Sequence, residues 1–149
     1  MNTFGLTRTT SDIDIVMNSE NASLVIEFLE SLGYETLYRS EAFSNHEHPL
    51  HGLVRIDILY ASGDTADSLL AESLYYPIFS DSHIKVVKPE HLIALKLFSI
   101  ASNPERYNQD VEDIRFLLKL DQLNLEEIKK YFEKYSFIEE MEKLMGEKQ

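Results

Sequence analysis

The alternation of polar and hydrophobic residues from position 12 onwards predicts a β-strand near the start of the chain. Asp12 and Asp14 fall on one side of such a strand, and Ile13 and Ile15 fall on the other. The isoleucine side is expected to face a core. The two carboxylates then lie together on the opposite side, where they repel each other unless a cation or a proton lies between them. Solvation at a sheet edge is the simpler explanation of an isolated Asp-x-Asp pattern. Choosing between this explanation and a cation site requires the motifs in the rest of the chain.

An amphipathic helix follows this strand. Residues 24–32 place large hydrophobic side chains at helical spacing, and Gly33 is typical of the position just after a helix end. Residues 34–38 alternate again and predict another strand. The short distance between helix and strand indicates a βαβ-like unit.

A second strongly apolar strand is predicted over residues 53–60, and Arg55 and Asp57 share one of its faces. A carboxylate inside so apolar a strand is costly without a partner. Two interpretations follow. Asp57 forms a surface ion pair with Arg55, or it is a third carboxylate beside Asp12 and Asp14 on an adjacent strand.

The residues between these strands, 41–52, are expected to form a polar loop. His46, His48 and His51 cluster there and are candidate metal ligands. Since no helix or strand is predicted to fix their geometry, a solvated hairpin tip is the favoured interpretation.

The second half of the chain predicts a mainly helical structure. After short elements over residues 65–73, 75–79 and 84–87, a helix over residues 90–101 is hydrophobic on nearly every side and should be central. Lys96 emerges from an apolar face of this helix. Either its apolar stem carries the ammonium group to solvent, or a cleft holds the lysine for a phosphate.

Further helices are expected over residues 109–119 and from Asn124 onwards. Asp110 and Asp113 lie near the start of the first, where carboxylates interact favourably with the helix dipole. Asn124 can cap the second, with Glu127 at the third helical position.

Length and composition limit the class of protein. At 149 residues the chain can bury one hydrophobic core, and with no cysteine it has neither disulfides nor thiolate metal sites. No apolar run reaches membrane-spanning length and no signal peptide is recognisable, so we expect a cytoplasmic protein without a membrane partner. The net charge of −12 argues against a general nucleic-acid coat, whose surface would be basic.

The charges are distributed unevenly. Residues 1–84 contain three arginines, thirteen acidic residues and no lysine, whereas residues 85–149 contain eleven basic and thirteen acidic residues. If the first part binds an anionic substrate, it must therefore do so through a metal. Any lysine directed at a phosphate must come from the second part.

The order of these motifs resembles the nucleotidyltransferase fold of the DNA polymerase beta superfamily. The motifs are Gly-x-x-Arg-x-Thr-x-Asp-Ile-Asp-Ile from Gly5, Arg-Ile-Asp-Ile-Leu from Arg55, Pro-Glu-His-Leu-Ile-Ala-Leu-Lys-Leu from Pro89, and Arg-x-x-Gln-Asp-x-x-Asp-Ile from Arg106. Within that superfamily the chain is similar to the small bacterial branch related to AbiEii-type toxins. The likeness extends to about Tyr135.

The resemblance implies an α+β fold in which helices back a mixed β-sheet, followed by a helical C-terminal segment. It implies one domain over residues 1–149, with a core over about 5–120 and C-terminal helices over about 124–145. It also implies site residues. The implied catalytic and metal-binding residues are Asp12, Asp14 and Asp57, and the implied substrate-binding residues are Gly5, Arg8, Thr10, Ser11, Lys96 and Asp110.

The implied activity is transfer of a nucleoside monophosphate from a nucleoside triphosphate to a hydroxyl acceptor, with release of pyrophosphate. Two Mg²⁺ ions, or Mn²⁺, about 4 Å apart would neutralise the triphosphate. Asp57 is the candidate for drawing the acceptor proton. The acceptor is open between RNA and protein, and a toxin–antitoxin role with a partner protein is a further expectation.

One departure from the superfamily pattern leaves an alternative. Its members usually carry a Gly-Gly or Gly-Ser turn before the aspartates, where backbone amides bind the triphosphate. Here only eleven residues precede Asp12, and Gly5 is the sole glycine among them. We expect either a truncated chain or a lost phosphate site. The alternative function is a non-catalytic module of the same fold that binds a nucleotide or a protein partner.

Overall fold

The structure, a computed structural model, describes residues 12–79 and 82–146. These residues form two compact units, which cover residues 12–73 and residues 74–146. We refer to them as the N-terminal and C-terminal units. The prediction of a single domain stays a prediction.

The N-terminal unit is a mixed four-stranded sheet with two helices. Its strands are β1 (Asp12–Asn18), β2 (Glu35–Arg39), β3 (Phe43–Glu47) and β4 (Arg55–Ala61), and its helices are α1 (Ala22–Ser31) and α2 (Gly63–Ala71). The spatial order of the strands is β1-β4-β3-β2. Strands β1 and β4 are parallel and the other pairs are antiparallel, so β2 runs in the same direction as β1. Helix α1 connects these two strands, which confirms the βαβ-like unit.

Helix α1 ends where the sequence predicts. Gly33 follows it with a φ of +92°, a conformation that favours glycine. A Cβ atom at this position would also lie 2.8 Å from Nε2 of His48. Both observations explain why the chain reverses at a glycine here.

One face of the sheet carries the buried core of this unit. Ile58 of β4 is fully buried there, and Ile26 and Leu29 of α1 are buried as well. Ile13 and Ile15 pair with Ile56 and Ile58 and so point to this same face. They are nevertheless 48% and 37% exposed, because β1 lies at the edge of the described sheet.

Strand β3 corrects the expectation of a polar loop over residues 41–52. Its buried positions are Ser44 and His46, so no hydrophobic alternation marks it as a strand. The Ser44 hydroxyl lies 2.7 Å from His46 Nε2 and 2.5 Å from the Tyr60 hydroxyl, which satisfies these polar groups inside the core. His46 is therefore a core residue of the sheet.

The C-terminal unit combines a two-stranded antiparallel sheet with four helices. Its elements are β5 (Leu74–Phe79), β6 (Ser82–Val86), α3 (Pro89–Ser102), α4 (Tyr107–Leu117), α5 (Leu125–Lys134) and α6 (Ile138–Gly146). Helix α3 is central, as predicted. The buried core consists of Ile93, Leu97 and Ile100 of α3 with Val111, Ile114, Leu117, Leu118, Ile128, Phe132 and Leu144.

The architecture confirms the predicted fold class, an α+β protein with a mixed sheet, helices and a helical C-terminal segment. Over the residues described, no helix has the length and apolar character needed to span a membrane.

Candidate functional site

Three aspartates meet on the face of the sheet opposite the core. The parallel register places Asp14 of β1 directly beside Asp57 of β4, and Asp12 beside Arg55. Paired residues on neighbouring strands point to the same face, and the strands are separated by about 4.8 Å. The structure therefore brings together the three carboxylates that the sequence singles out.

Asp57 is held in place by two donors. Arg55 donates from Nε to Oδ1 of Asp57 over 2.8 Å, and Asn45 of β3 donates from Nδ2 to the same oxygen over 2.7 Å. Both interpretations of Asp57 therefore hold at once, because it pairs with Arg55 and also neighbours Asp14. Among the described residues, no hydrogen bond engages the second oxygen, Oδ2.

Asn45 is a site residue that the sequence reasoning missed. It lies in β3, a strand that the sequence does not predict because its buried residues are polar. Asn45 pairs in register with Asp57. Tyr38 of β2 in turn pairs with Asn45. One row across the four strands thus reads Asp14, Asp57, Asn45 and Tyr38 on a single face. Because Asn45 lies between two polar residues, Ser44 and His46, no alternation of polar and hydrophobic residues marks its position in the sequence.

The donor set fits a hard divalent cation. Asp12, Asp14 and Asp57 bring three carboxylates to one face, and Arg55 supplies one positive charge beside them. Carboxylate oxygens are the ligands that Mg²⁺ and Mn²⁺ prefer. Carboxylates in direct register repel each other, and a bound cation would lower that repulsion.

The C-terminal unit contains a second charged cluster, built around Lys96 of α3. Its Nζ atom lies 2.8 Å from Oδ1 of Asp110 and 2.8 Å from Oδ2 of Asp113, both on α4. The two aspartates are buried, and the lysine side chain is 16% exposed. Arg106 adds a bond from Nε to Oδ2 of Asp110 over 3.1 Å.

The pKa of Asp110 depends on its neighbours in this cluster. Burial by itself raises the pKa of Asp110, but hydrogen bonds from Arg106, Lys96 and Ser99 and the charge of Lys96 outweigh it and lower the pKa below the usual range. Asp110 is therefore an anion at neutral pH. The ammonium group of Lys96 is not simply directed to solvent, since it forms ion pairs with two buried carboxylates. That a cleft holds Lys96 for a phosphate stays a prediction.

The remaining predicted site residues, Gly5, Arg8, Thr10 and Ser11, lie outside the described residues. Lys96 and Asp110 are described within the C-terminal unit, where they contact each other. Their assignment to substrate binding stays a prediction.

Comparison with known proteins supports the fold. No protein-family model and no curated protein matches the sequence. Among solved structures, the chain is similar to the antibiotic-resistance factor ANT(2'')-Ia, an aminoglycoside nucleotidyltransferase. The two are 17% identical with a TM-score of 0.60, and the match covers 92% of this chain and 78% of that one. At this identity the similarity shows the fold, and the chain therefore has a nucleotidyltransferase fold.

Proposed function

We propose that the protein is a metal-dependent nucleotidyltransferase that moves a nucleoside monophosphate from a nucleoside triphosphate to a hydroxyl acceptor. The observation that carries the proposal is the in-register pair Asp14 and Asp57, with Asp12 on the same face of the sheet. This arrangement occurs within a nucleotidyltransferase fold. Carboxylates on adjacent strands are what a two-cation phosphoryl-transfer site requires.

Asp12, Asp14 and Asp57 would hold the cations, which we propose to be Mg²⁺, with Mn²⁺ as a substitute. Bound cations would offset the charge of the triphosphate, which otherwise meets an acidic surface. In the reaction, a bond forms between the acceptor oxygen and the α-phosphorus, and the bond to the β-phosphate breaks, releasing pyrophosphate. Asp57 is the proposed acceptor of the hydroxyl proton. Asn45 and Arg55 keep its side chain oriented through Oδ1.

Lys96 is the proposed contact to the triphosphate, and Asp110 orients it. An ammonium group has three N–H donors. Lys96 donates to Oδ1 of Asp110 and forms an ion pair with Oδ2 of Asp113, and another N–H of its ammonium group is the proposed donor to a phosphate oxygen. The other proposed substrate contacts are Gly5, Arg8, Thr10 and Ser11.

The biological setting is proposed from the motif resemblance. It favours a toxin-like enzyme of the AbiEii type, acting on RNA or protein and controlled by a partner protein. The alternative is a non-catalytic module of the same fold that binds a nucleotide or a protein partner. The two differ in one readout, since only the enzyme releases pyrophosphate.

Calorimetry with Mg²⁺ and each of the four nucleoside triphosphates tests the proposal. We expect at least one triphosphate to bind the wild-type protein, and Asp14→Asn to abolish that binding. The matched control is Asp67→Asn, which removes an exposed carboxylate from α2. Pyrophosphate release, measured in the same samples with candidate acceptors, separates the enzyme from the binding module. If no triphosphate binds in the presence of Mg²⁺, the proposed function is wrong.

A further inference from the structure

Two aromatic side chains lie on the same face of the sheet as the carboxylates. Tyr38 belongs to the row that contains Asp14, Asp57 and Asn45. Phe43 pairs with Leu59 in the neighbouring row, and successive pairs alternate so that it shares the face of Asn45. The rings of Tyr38 and Phe43 stack with centroids 4.9 Å apart and an interplanar angle of 26°.

This aromatic pair remains open to solvent. Tyr38 is 50% exposed and Phe43 is 40% exposed. A cross-strand aromatic pair can stabilise a hairpin, which would account for the contact between the two rings. It does not account for the exposed ring surface on the side of the sheet where the carboxylates lie.

The spacing along the row suits a nucleotide. Tyr38 lies two strands away from Asp57, with β3 between them, which corresponds to about 10 Å at the usual strand separation. A nucleotide whose phosphate is bound at the carboxylates spans a distance of that order to its base. Flat aromatic surfaces bind nucleobases by stacking, and each stacked base contributes about 1–3 kcal/mol.

We propose that Tyr38 and Phe43 form a stacking platform for a nucleobase on the carboxylate face of the sheet. The inference rests on the proposed function, because it identifies a contact of the same site. The base belongs either to the nucleoside triphosphate or to a nucleoside at the end of an acceptor. Both sources present the same flat ring, so the experiment has to distinguish them.

The composition of the chain provides a direct probe. There is no tryptophan in the sequence, so Tyr38→Trp introduces a single indole that keeps an aromatic ring at the platform. Stacking of a base on this indole quenches its fluorescence. The control is Tyr75→Trp in β5, where the native side chain is 71% exposed and belongs to the C-terminal unit.

Three probes separate the sources of the base, each titrated with Mg²⁺. ATP carries a base and a triphosphate, inorganic tripolyphosphate carries no base, and the trinucleotide ApApA carries bases without a triphosphate. We expect ATP or ApApA to quench the indole of Tyr38→Trp, and tripolyphosphate to leave it unchanged. The indole of Tyr75→Trp should respond to none of them. Calorimetry on Tyr38→Ser should show about fivefold or greater loss of affinity for the quenching ligand, while tripolyphosphate binds as before.

The outcomes separate this inference from the proposed function. If ATP binds by calorimetry but no probe quenches Tyr38→Trp more than Tyr75→Trp, the platform is refuted and the proposed function stands. Quenching by ApApA without any triphosphate binding would support the platform and overturn the proposed function. If Tyr38→Ser binds the quenching ligand with wild-type affinity, the platform is refuted, since the ring then contributes nothing to binding. The absence of both quenching and triphosphate binding would overturn both.

Discussion

His46 lies in the core of the N-terminal unit within a chain of hydrogen bonds. Thr36 donates its hydroxyl hydrogen to Glu30 over 2.8 Å, so the contact between Thr36 Oγ1 and His46 Nδ1 at 3.2 Å requires the ring to donate. The opposite nitrogen then accepts from Ser44 over 2.7 Å. This pattern fits a neutral imidazole that donates from Nδ1 and accepts at Nε2.

The stability of the protein should therefore depend on the protonation of His46. Burial lowers the pKa of His46, although the charges of Glu30 and Asp57 act in the opposite direction. In the unfolded chain the pKa is about 6.5. As the pH falls below that value, the unfolded chain binds a proton that the folded protein binds only at lower pH, so the free energy of unfolding decreases through this window.

Urea unfolding between pH 7.5 and pH 5.5 measures this effect. We expect the free energy of unfolding to fall less steeply with decreasing pH in His46→Gln than in the wild-type protein. His51→Gln is the control, since it removes an exposed histidine that lies outside this buried network. Equal slopes in His46→Gln and the wild-type protein would contradict the neutral assignment of His46.

Lys96 is expected to be essential for stability whatever else it binds. Lys96→Met leaves Asp110 and Asp113 buried without the ammonium group that lies 2.8 Å from each. Removing one partner from a buried ion pair costs about 3–5 kcal/mol. Lys129→Met removes an exposed lysine that lies 3.9 Å from Glu133, for which the expected cost is below about 1 kcal/mol. Chemical denaturation measures the free energy of unfolding of the two variants. Similar losses in both would show that the buried cluster around Lys96 does not stabilise the fold.

Among the elements, helix α5 depends on the capping residue that precedes it, Asn124. The Asn124 side chain accepts a hydrogen bond from the backbone N–H of Glu127 over 3.1 Å, and the Asn124 N–H donates to Glu90 over 2.8 Å. The predicted cap is therefore confirmed. Asn124→Ala should cost about 1 kcal/mol, since the loss of a capping side chain leaves a helix N–H unsatisfied.

The chain contains its own control for this substitution. Asn21 precedes α1 in the equivalent position, but its side chain makes no capping hydrogen bond. Asn21→Ala should therefore change the free energy of unfolding by only a few tenths of a kcal/mol. Thermal unfolding of both variants measures their loss of stability. An equal loss in the two would contradict the capping role of the Asn124 side chain.

The elements differ in how far the sequence predicts them. Helix α1 follows from the spacing of its hydrophobic residues and from Gly33, and α5 follows from its cap. The sequence does not predict strand β3, because Ser44 and His46 occupy the buried positions where an alternating pattern would have hydrophobic side chains. Hydrogen bonds that link these buried polar residues to Tyr60 and Thr36 become visible only when the strands are paired.

The same limit applies to the candidate site. Sequence spacing places Asp12 and Asp14 on one side of a strand, but only the register of β1 against β4 shows that Asp14 faces Asp57. Asn45 joins the site through the pairing of β3 with β4, a long-range contact that local pattern does not encode. The sequence thus predicts that Asp12 and Asp14 share one side of a strand, but it does not predict which residues of other strands lie beside them.

At the scale of the whole molecule, charge distinguishes the two units. Residues 12–73 contain twelve acidic residues and two arginines, whereas all the lysines lie in residues 85–149. A carboxylate-bearing sheet with so few cations offers little positive charge of its own to a triphosphate. We therefore propose that Asp12, Asp14 and Asp57 bind a divalent cation, which makes this surface compatible with a phosphate substrate.

Titration with Mn²⁺, followed by the electron paramagnetic resonance signal of the free ion, tests this claim most directly. The wild-type protein and Asp67→Asn should bind Mn²⁺ with the same affinity. Asp14→Asn and Asp57→Asn should each weaken binding about tenfold or more while unfolding cooperatively. Equal affinity in all four proteins, or no binding by the wild-type protein, would contradict the proposed metal centre.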